Sequence, residues 1–142
     1  MFNNLVWATD GSENADRALS YVKSMASGDG ARVTVVHVAE LYASHVAAGL
    51  PVHANEEEVQ AKPKKVVSEL SDEGIDATLK IVSHRGAQPA HEIADIAEDI
   101  GADLIVVGTR GHTPLAGLLV GSVTQRLLHL AECPVLAVPP AA

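Results

Sequence analysis

The chain has 142 residues, 47% of them apolar but only 3% aromatic, and a formal net charge of −8 from 10 basic and 18 acidic side chains. That length suits one domain with an ordinary core built from Val, Ile, Leu and Ala, the composition of strands covered by helices on both faces. The acidic balance argues against a general nucleic-acid binder or a protein of anionic membrane surfaces, since both need a basic face.

In chain order, Leu5-Val-Trp-Ala-Thr9 reads as a first strand, stopped by Asp10-Gly11. Ser12 is placed to cap a helix running to about Ala26, with Ala15, Ala18, Leu19, Val22 and Met25 as its apolar stripe. Gly28-Asp-Gly30 breaks that helix, and the β-branched run Arg32-Val-Thr-Val-Val-His-Val38 is a second strand. Residues 39–54 fit a loop or a short helix. Asn55-Glu-Glu-Glu58 then offers a cap and an acidic first turn for a helix to Glu73, with Pro63 expected to kink or delay it. Ala77 to Val82 reads as strand three, Pro89 to Ile100 as a helix, Leu104 to Val107 as strand four, Val123 to Ala131 as a helix, and Val135 to Val138 as strand five between Pro134 and Pro139. Residues 1–142 thus form a single α/β domain: a doubly wound, parallel, five-stranded sheet of Rossmann-like type with helices on both faces.

The single Cys133 excludes an intrachain disulfide and suits a reducing compartment. No apolar run reaches the ~18 residues of a membrane-spanning helix, and Met1-Phe-Asn-Asn-Leu-Val lacks a basic then apolar leader pattern. A cytoplasmic protein is the expectation.

Chemistry concentrates in two loops. Strand four opens into Gly108-Thr-Arg-Gly111-His-Thr-Pro-Leu-Ala-Gly-Leu-Leu-Val-Gly121-Ser122, which feeds a helix start. Glycines let backbone N–H groups approach a phosphate closely, and the helix dipole favours the anion. The second loop is Thr9-Asp10-Gly11. In doubly wound sheets ligands bind beyond the carboxyl ends of strands, where the winding reverses. If strands one and four are neighbours, a carboxylate faces the phosphate cradle, as a Mg-nucleotide requires.

The spacing Gly108-x2-Gly111-x9-Gly121-Ser122 resembles the nucleotide-binding pattern of the universal stress protein family, in its ATP-binding branch. Thr9-Asp10-Gly11-Ser12, His37-Val38, Gly101 to Gly108 and Cys133 to Val138 extend the likeness over nearly the whole chain. The resemblance implies that Ala8, Thr9 and Asp10 line the adenine and ribose region, with Asp10 near Mg or the ribose hydroxyls, and that Val38 contacts adenine. It implies ribose and phosphate contacts from Gly108, Gly111, His112, Gly121, Ser122 and Val123. It further implies a homodimer paired through the last strand, acting in stress responses with weak or no ATPase activity.

Plainer readings stand beside these. Ser122-Val-Thr-Gln125 is a capping box, so Ser122 serves the helix, a phosphate, or both in turn. Asp10 is a turn former as readily as a ligand contact. Arg110 pairs with a terminal phosphate or stays solvated, Arg126 reads as surface charge, and Gly117 as a helix punctuator. A Walker A ending and a Gly-x-Gly-x-x-Gly after strand one are both missing, and no base or arginine finger is evident. No catalytic residue is assigned. The seven histidines do not compose a metal-ligand set, and Cys133 reads as a small buried hydrophobe. The expected function is an ATP-binding homodimeric stress-response switch or sensor. The alternatives are a cAMP- or AMP-binding module of the same fold, a slow ATPase, or an interaction protein without nucleotide.

Overall fold

A computed structural model describes residues 2–28, 30–39, 54–83, 86–109 and 120–141, with backbone only for 54–59. The expected alternation is present: β1 (Asn4–Ala8), α1 (Glu13–Ala26), β2 (Arg32–Val38), α2 (Ala54–Asp72), β3 (Asp76–Val82), α3 (Pro89–Asp99), β4 (Leu104–Gly108), α4 (Ser122–Leu130) and β5 (Val135–Val138). The strands form one parallel sheet in the order β3-β2-β1-β4-β5. Most of the segment 39–54, together with Arg110, Gly111, His112 and Gly117, lies outside the described residues.

The central strands are apolar on both sides because both sides are covered. Leu5, Trp7, Val33, Val35, Leu104 and Val106 pack under α1 and α2. Val6, Ala8, Val36, Val38, Ile105 and Val107 meet α3 and α4. Burying one such aliphatic side chain contributes about 1.5–3 kcal/mol, so two continuous layers suffice for a domain of this size. The one tryptophan is an anchor of the first layer: the Trp7 Nε1–H donates to the Ala15 carbonyl at 3.0 Å, fixing the start of α1 on β1.

The helix over Pro63 begins at Ala54, one residue before the proposed Asn55 cap, and continues through the proline. Pro89 occupies the first turn of α3, where its missing N–H leaves no intrahelical bond unmade.

The two sheet edges differ. In β3, Asp76, Thr78 and Lys80 are exposed and alternate with Ala77, Leu79 and Ile81. Its open face therefore carries charge, including an Arg32–Asp76 ion pair at 3.3 Å. The β5 sequence Val-Leu-Ala-Val carries no charge, and Val135, Leu136 and Ala137 are only half-buried. Charged side chains protect sheet edges from pairing, so β5 is the unguarded edge.

Candidate functional site

β1 and β4 are hydrogen-bonded neighbours at the middle of the sheet. The chain leaves β1 towards the α1 face and leaves β4 towards the α4 face. Their outgoing loops therefore separate above the sheet and leave a crevice at the strand ends, the reversal point at which such sheets take ligands.

On the β1 side, Thr9 keeps one link to the sheet, its N–H donating to the Val36 carbonyl at 2.9 Å. The turn beyond it is held by its own side chains. Gly11 N–H donates to Thr9 Oγ1 at 3.1 Å, and Ser12 N–H donates to Asp10 Oδ1 at 2.9 Å. Asp10 is thus a turn former of the Asx type, as the plainer reading has it. Gly11 sits at φ +83°, a left-handed conformation that glycine adopts without steric penalty. Ser12 caps α1 as expected, its Oγ accepting from Ala15 N–H at 3.3 Å. Ala8 and Thr9 are buried and Asp10 is half-buried, so the aspartate is the most reachable of the three. Val38, also buried, ends the adjacent strand β2.

Two side chains to which the sequence assigned no role at this turn grip it from other elements. His37 on β2, 3% exposed, places Nδ1 3.0 Å from the Thr9 carbonyl oxygen. Lys62 on α2 donates to the Gly11 carbonyl at 3.1 Å and pairs with Asp16. Both contacts join residues far apart in sequence, which no local periodicity reveals.

On the β4 side, Thr109 N–H donates to the Val138 carbonyl at 2.9 Å, and Gly121 N–H donates to the Thr109 carbonyl at 2.5 Å. Thr109 and Gly121 are therefore pinned together at the mouth of the crevice. Thr124, 4% exposed, donates its Oγ1–H to the Gly108 carbonyl at 2.8 Å, tying the first turn of α4 to the end of β4.

The capping box expected at Ser122 does not form. Gly121 is the cap residue, extended at φ −66° and ψ 160°, its carbonyl accepting from Gln125 N–H at 3.0 Å. Helical geometry begins at Ser122 itself, so its hydroxyl is one residue too late to cap. No side chain caps α4, and the exposed Ser122 stands in its first turn beside half-buried Val123. The unsatisfied N–H groups of a helix start are natural partners for an anion.

Thr109 Oγ1 is buried and has no hydrogen-bond partner among the described residues. A buried hydroxyl left unpaired costs about 1–3 kcal/mol, and this one stands directly after Gly108, at the edge of the crevice. The sequence held a signal for it only in its position within the glycine loop. A groove of about 1110 Å³ opens between α3 and α4, lined by residues including Gln88, His91, Ser122, Val123 and Arg126. It touches the cradle at Ser122, and the Asp10 turn is not part of its lining.

Asp10 offers a single carboxylate, and no group of three or more His, Cys, Asp or Glu side chains suited to a metal occurs among the described residues. That donor set fits Mg²⁺, which keeps several waters and takes one carboxylate together with substrate phosphates. Burial pushes the half-buried Cys133 thiol up, and the nearby Asp103 carboxylate adds to this against an opposing backbone hydrogen bond. A thiol held protonated is a poor nucleophile.

The architecture has close counterparts. The universal stress protein MJ0577 of Methanocaldococcus jannaschii is 32% identical over 97% of this chain and 95% of its own length. Its solved structure superposes with a TM-score of 0.87 at 33% identity, covering 99% of this chain and 98% of that one. The Bacillus subtilis universal stress protein YxiE is 30% identical over 97% of this chain and 99% of its own length. A universal stress protein of Archaeoglobus fulgidus, solved in complex with dAMP, shares the fold at a TM-score of 0.65 and 24% identity, covering 97% of this chain and 98% of that one. The model of the universal stress protein family matches residues 1–139, and the chain belongs to that family.

Proposed function

We propose that the chain is an ATP-binding regulatory protein of the stress response, a homodimer that works as a nucleotide-dependent switch or sensor. The observation that carries this reading is the adjacency of β1 and β4, which sets the Asp10 turn opposite the linked Thr109 and Gly121 and the Thr109 hydroxyl, unpaired among the described residues. Ala8, Thr9 and Val38 receive adenine and ribose. Asp10 meets the ribose hydroxyls or Mg²⁺. Gly108, Arg110, Gly111, His112, Gly121, Ser122 and Val123 hold ribose and phosphates. Bound Mg²⁺ supplies charge neutralisation on the phosphates.

The uncharged edge strand β5 supports pairing of two copies across a two-fold axis, which would close that edge symmetrically. The lack of an activating base in the described crevice supports binding over turnover, with hydrolysis on the order of 1 per minute or slower against ~10 s⁻¹ for a typical enzyme. The absence, among the described residues, of a helix long and apolar enough to cross a membrane accords with a cytoplasmic location. A second reading, AMP or cAMP as the physiological ligand, draws on the fold neighbour solved with dAMP.

The test is to denature the purified protein, identify released nucleotide by mass, and titrate the emptied protein with Mg-ATP, AMP and cAMP. Tightest binding of Mg-ATP supports the proposal. Tighter binding of AMP or cAMP transfers the role to the second reading, and binding of none removes both.

A further inference from the structure

We infer that His37 is a positioning residue for the base and ribose half of the nucleotide site: it fixes the Thr9–Ser12 turn from inside the sheet. This rests on the nucleotide reading above and assigns a role to a buried side chain outside the residues given to the ligand there. At the strand ends, the backbone link between β1 and β2 reaches only as far as Thr9 N–H on the Val36 carbonyl. The next group along, the Thr9 carbonyl, is met by the His37 imidazole at 3.0 Å in a buried setting. A carbonyl only accepts, so Nδ1 carries the proton and donates. Thr9 is thereby held on both its N–H and its C=O by β2, while its own Oγ1 accepts from Gly11 N–H.

The consequence is positional. Asp10 follows Thr9 directly, and its carboxylate is already committed on Oδ1 to Ser12 N–H. A peptide plane that cannot rotate at Thr9 sets the direction in which Asp10 leaves the sheet. His37 and Val38 are consecutive on β2, so one residue steadies the turn while the next presents its side chain to the opposite face of the sheet. The phosphate side has separate supports among the described residues, Thr124 on Gly108 and Gly121 on Thr109, neither of them made by His37. Loss of the imidazole donor therefore acts on adenosine recognition and spares phosphate recognition. A general packing role for His37 would not discriminate between them.

Calorimetry with Mg-ATP and with tripolyphosphate free of Mg²⁺, which does not engage Asp10 through a metal, separates these cases in wild type, His37→Leu and His37→Asn. Leu fills the space without a donor, while the Asn amide nitrogen occupies the place of Nδ1. We expect His37→Leu to bind Mg-ATP about tenfold more weakly, the scale of one lost buried hydrogen bond, with tripolyphosphate affinity unchanged, and His37→Asn to recover most of the ATP affinity. Equal weakening of both ligands, or unchanged ATP binding in folded His37→Leu, overturns the inference while leaving the nucleotide reading intact. A wild-type chain that binds no ATP removes both. Should His37→Leu not fold, nitrogen-15 spectra of the wild-type imidazole decide. A protonated Nδ1 whose resonance moves with Mg-ATP and not with tripolyphosphate supports the role; a ring protonated only at Nε2, or one indifferent to ATP, refutes it.

Discussion

Replacing Thr124 with Val isolates the joint that holds the mouth of the crevice together. The two side chains have nearly the same shape, so the change deletes one hydrogen bond, Oγ1–H to the Gly108 carbonyl at 2.8 Å, and adds one methyl group in a buried position. Losing an ordinary intramolecular hydrogen bond costs about 0.5–1.5 kcal/mol, rising to 1–3 kcal/mol when the buried carbonyl is left without a donor. The added apolar group returns up to about 0.8 kcal/mol. The net expectation is a loss of about 1–2 kcal/mol, which lowers Tm by about 3–7 °C for a chain of this length. Because the same bond sets the first turn of α4 against Gly108, Mg-ATP affinity falls together with stability. Urea and thermal unfolding followed at Trp7, with calorimetry on the folded variant, measure both effects. A transition and a dissociation constant indistinguishable from wild type would refute the claim that this bond holds the cradle.

Thr109→Val removes a buried hydroxyl that is unpaired among the described residues, so unfolding should show stability unchanged or raised by about 1 kcal/mol while Mg-ATP binding weakens; a loss of stability with ATP binding intact contradicts its role as a ligand contact. The carbonyls of Pro134 and Val138 face β4, which leaves Val135 and Ala137 to present their N–H groups outward. Ala137→Pro should accordingly shift the protein towards monomer in sedimentation, and a persistent dimer would place the interface elsewhere. The thiol of Cys133 is displaced upward, so between neutrality and its raised pKa less thiolate is present than for a free cysteine. Its alkylation in the native state should be slower than that of the unfolded chain across that pH window, and a native rate equal to the unfolded one would contradict this.

Strand identity was legible because the central strands are covered on both faces and read as uninterrupted apolar runs, as Leu104 to Val107 does; the edge strand Val135 to Val138 was legible as an apolar run set between two prolines. The order β1 next to β4 was legible only as a condition, since strand neighbours depend on the crossover that α3 makes and not on any local pattern. The cap of α4 was misplaced by one residue. A serine followed three positions later by glutamine satisfies the box pattern, yet the pattern cannot say where backbone dihedrals turn helical, and here they turn at Ser122. The gripping of the Asp10 turn by His37 and Lys62 escaped sequence reasoning altogether. Those contacts span 28 and 51 positions, and a buried histidine on a β-branched strand looks the same whether it packs or donates.

The central claim, that this crevice holds an adenine nucleotide on a glycine-shaped cradle, is tested most directly by titrating wild type and Gly121→Val with Mg-ATP. A branched side chain at the cap of α4 stands where the backbone would meet phosphate, and Gly121 N–H is already drawn to the Thr109 carbonyl at 2.5 Å. The account predicts saturable binding by wild type and at least a tenfold weaker dissociation constant, about 1.4 kcal/mol or more, in the folded variant. Equal affinities, or no binding by wild type, would contradict it.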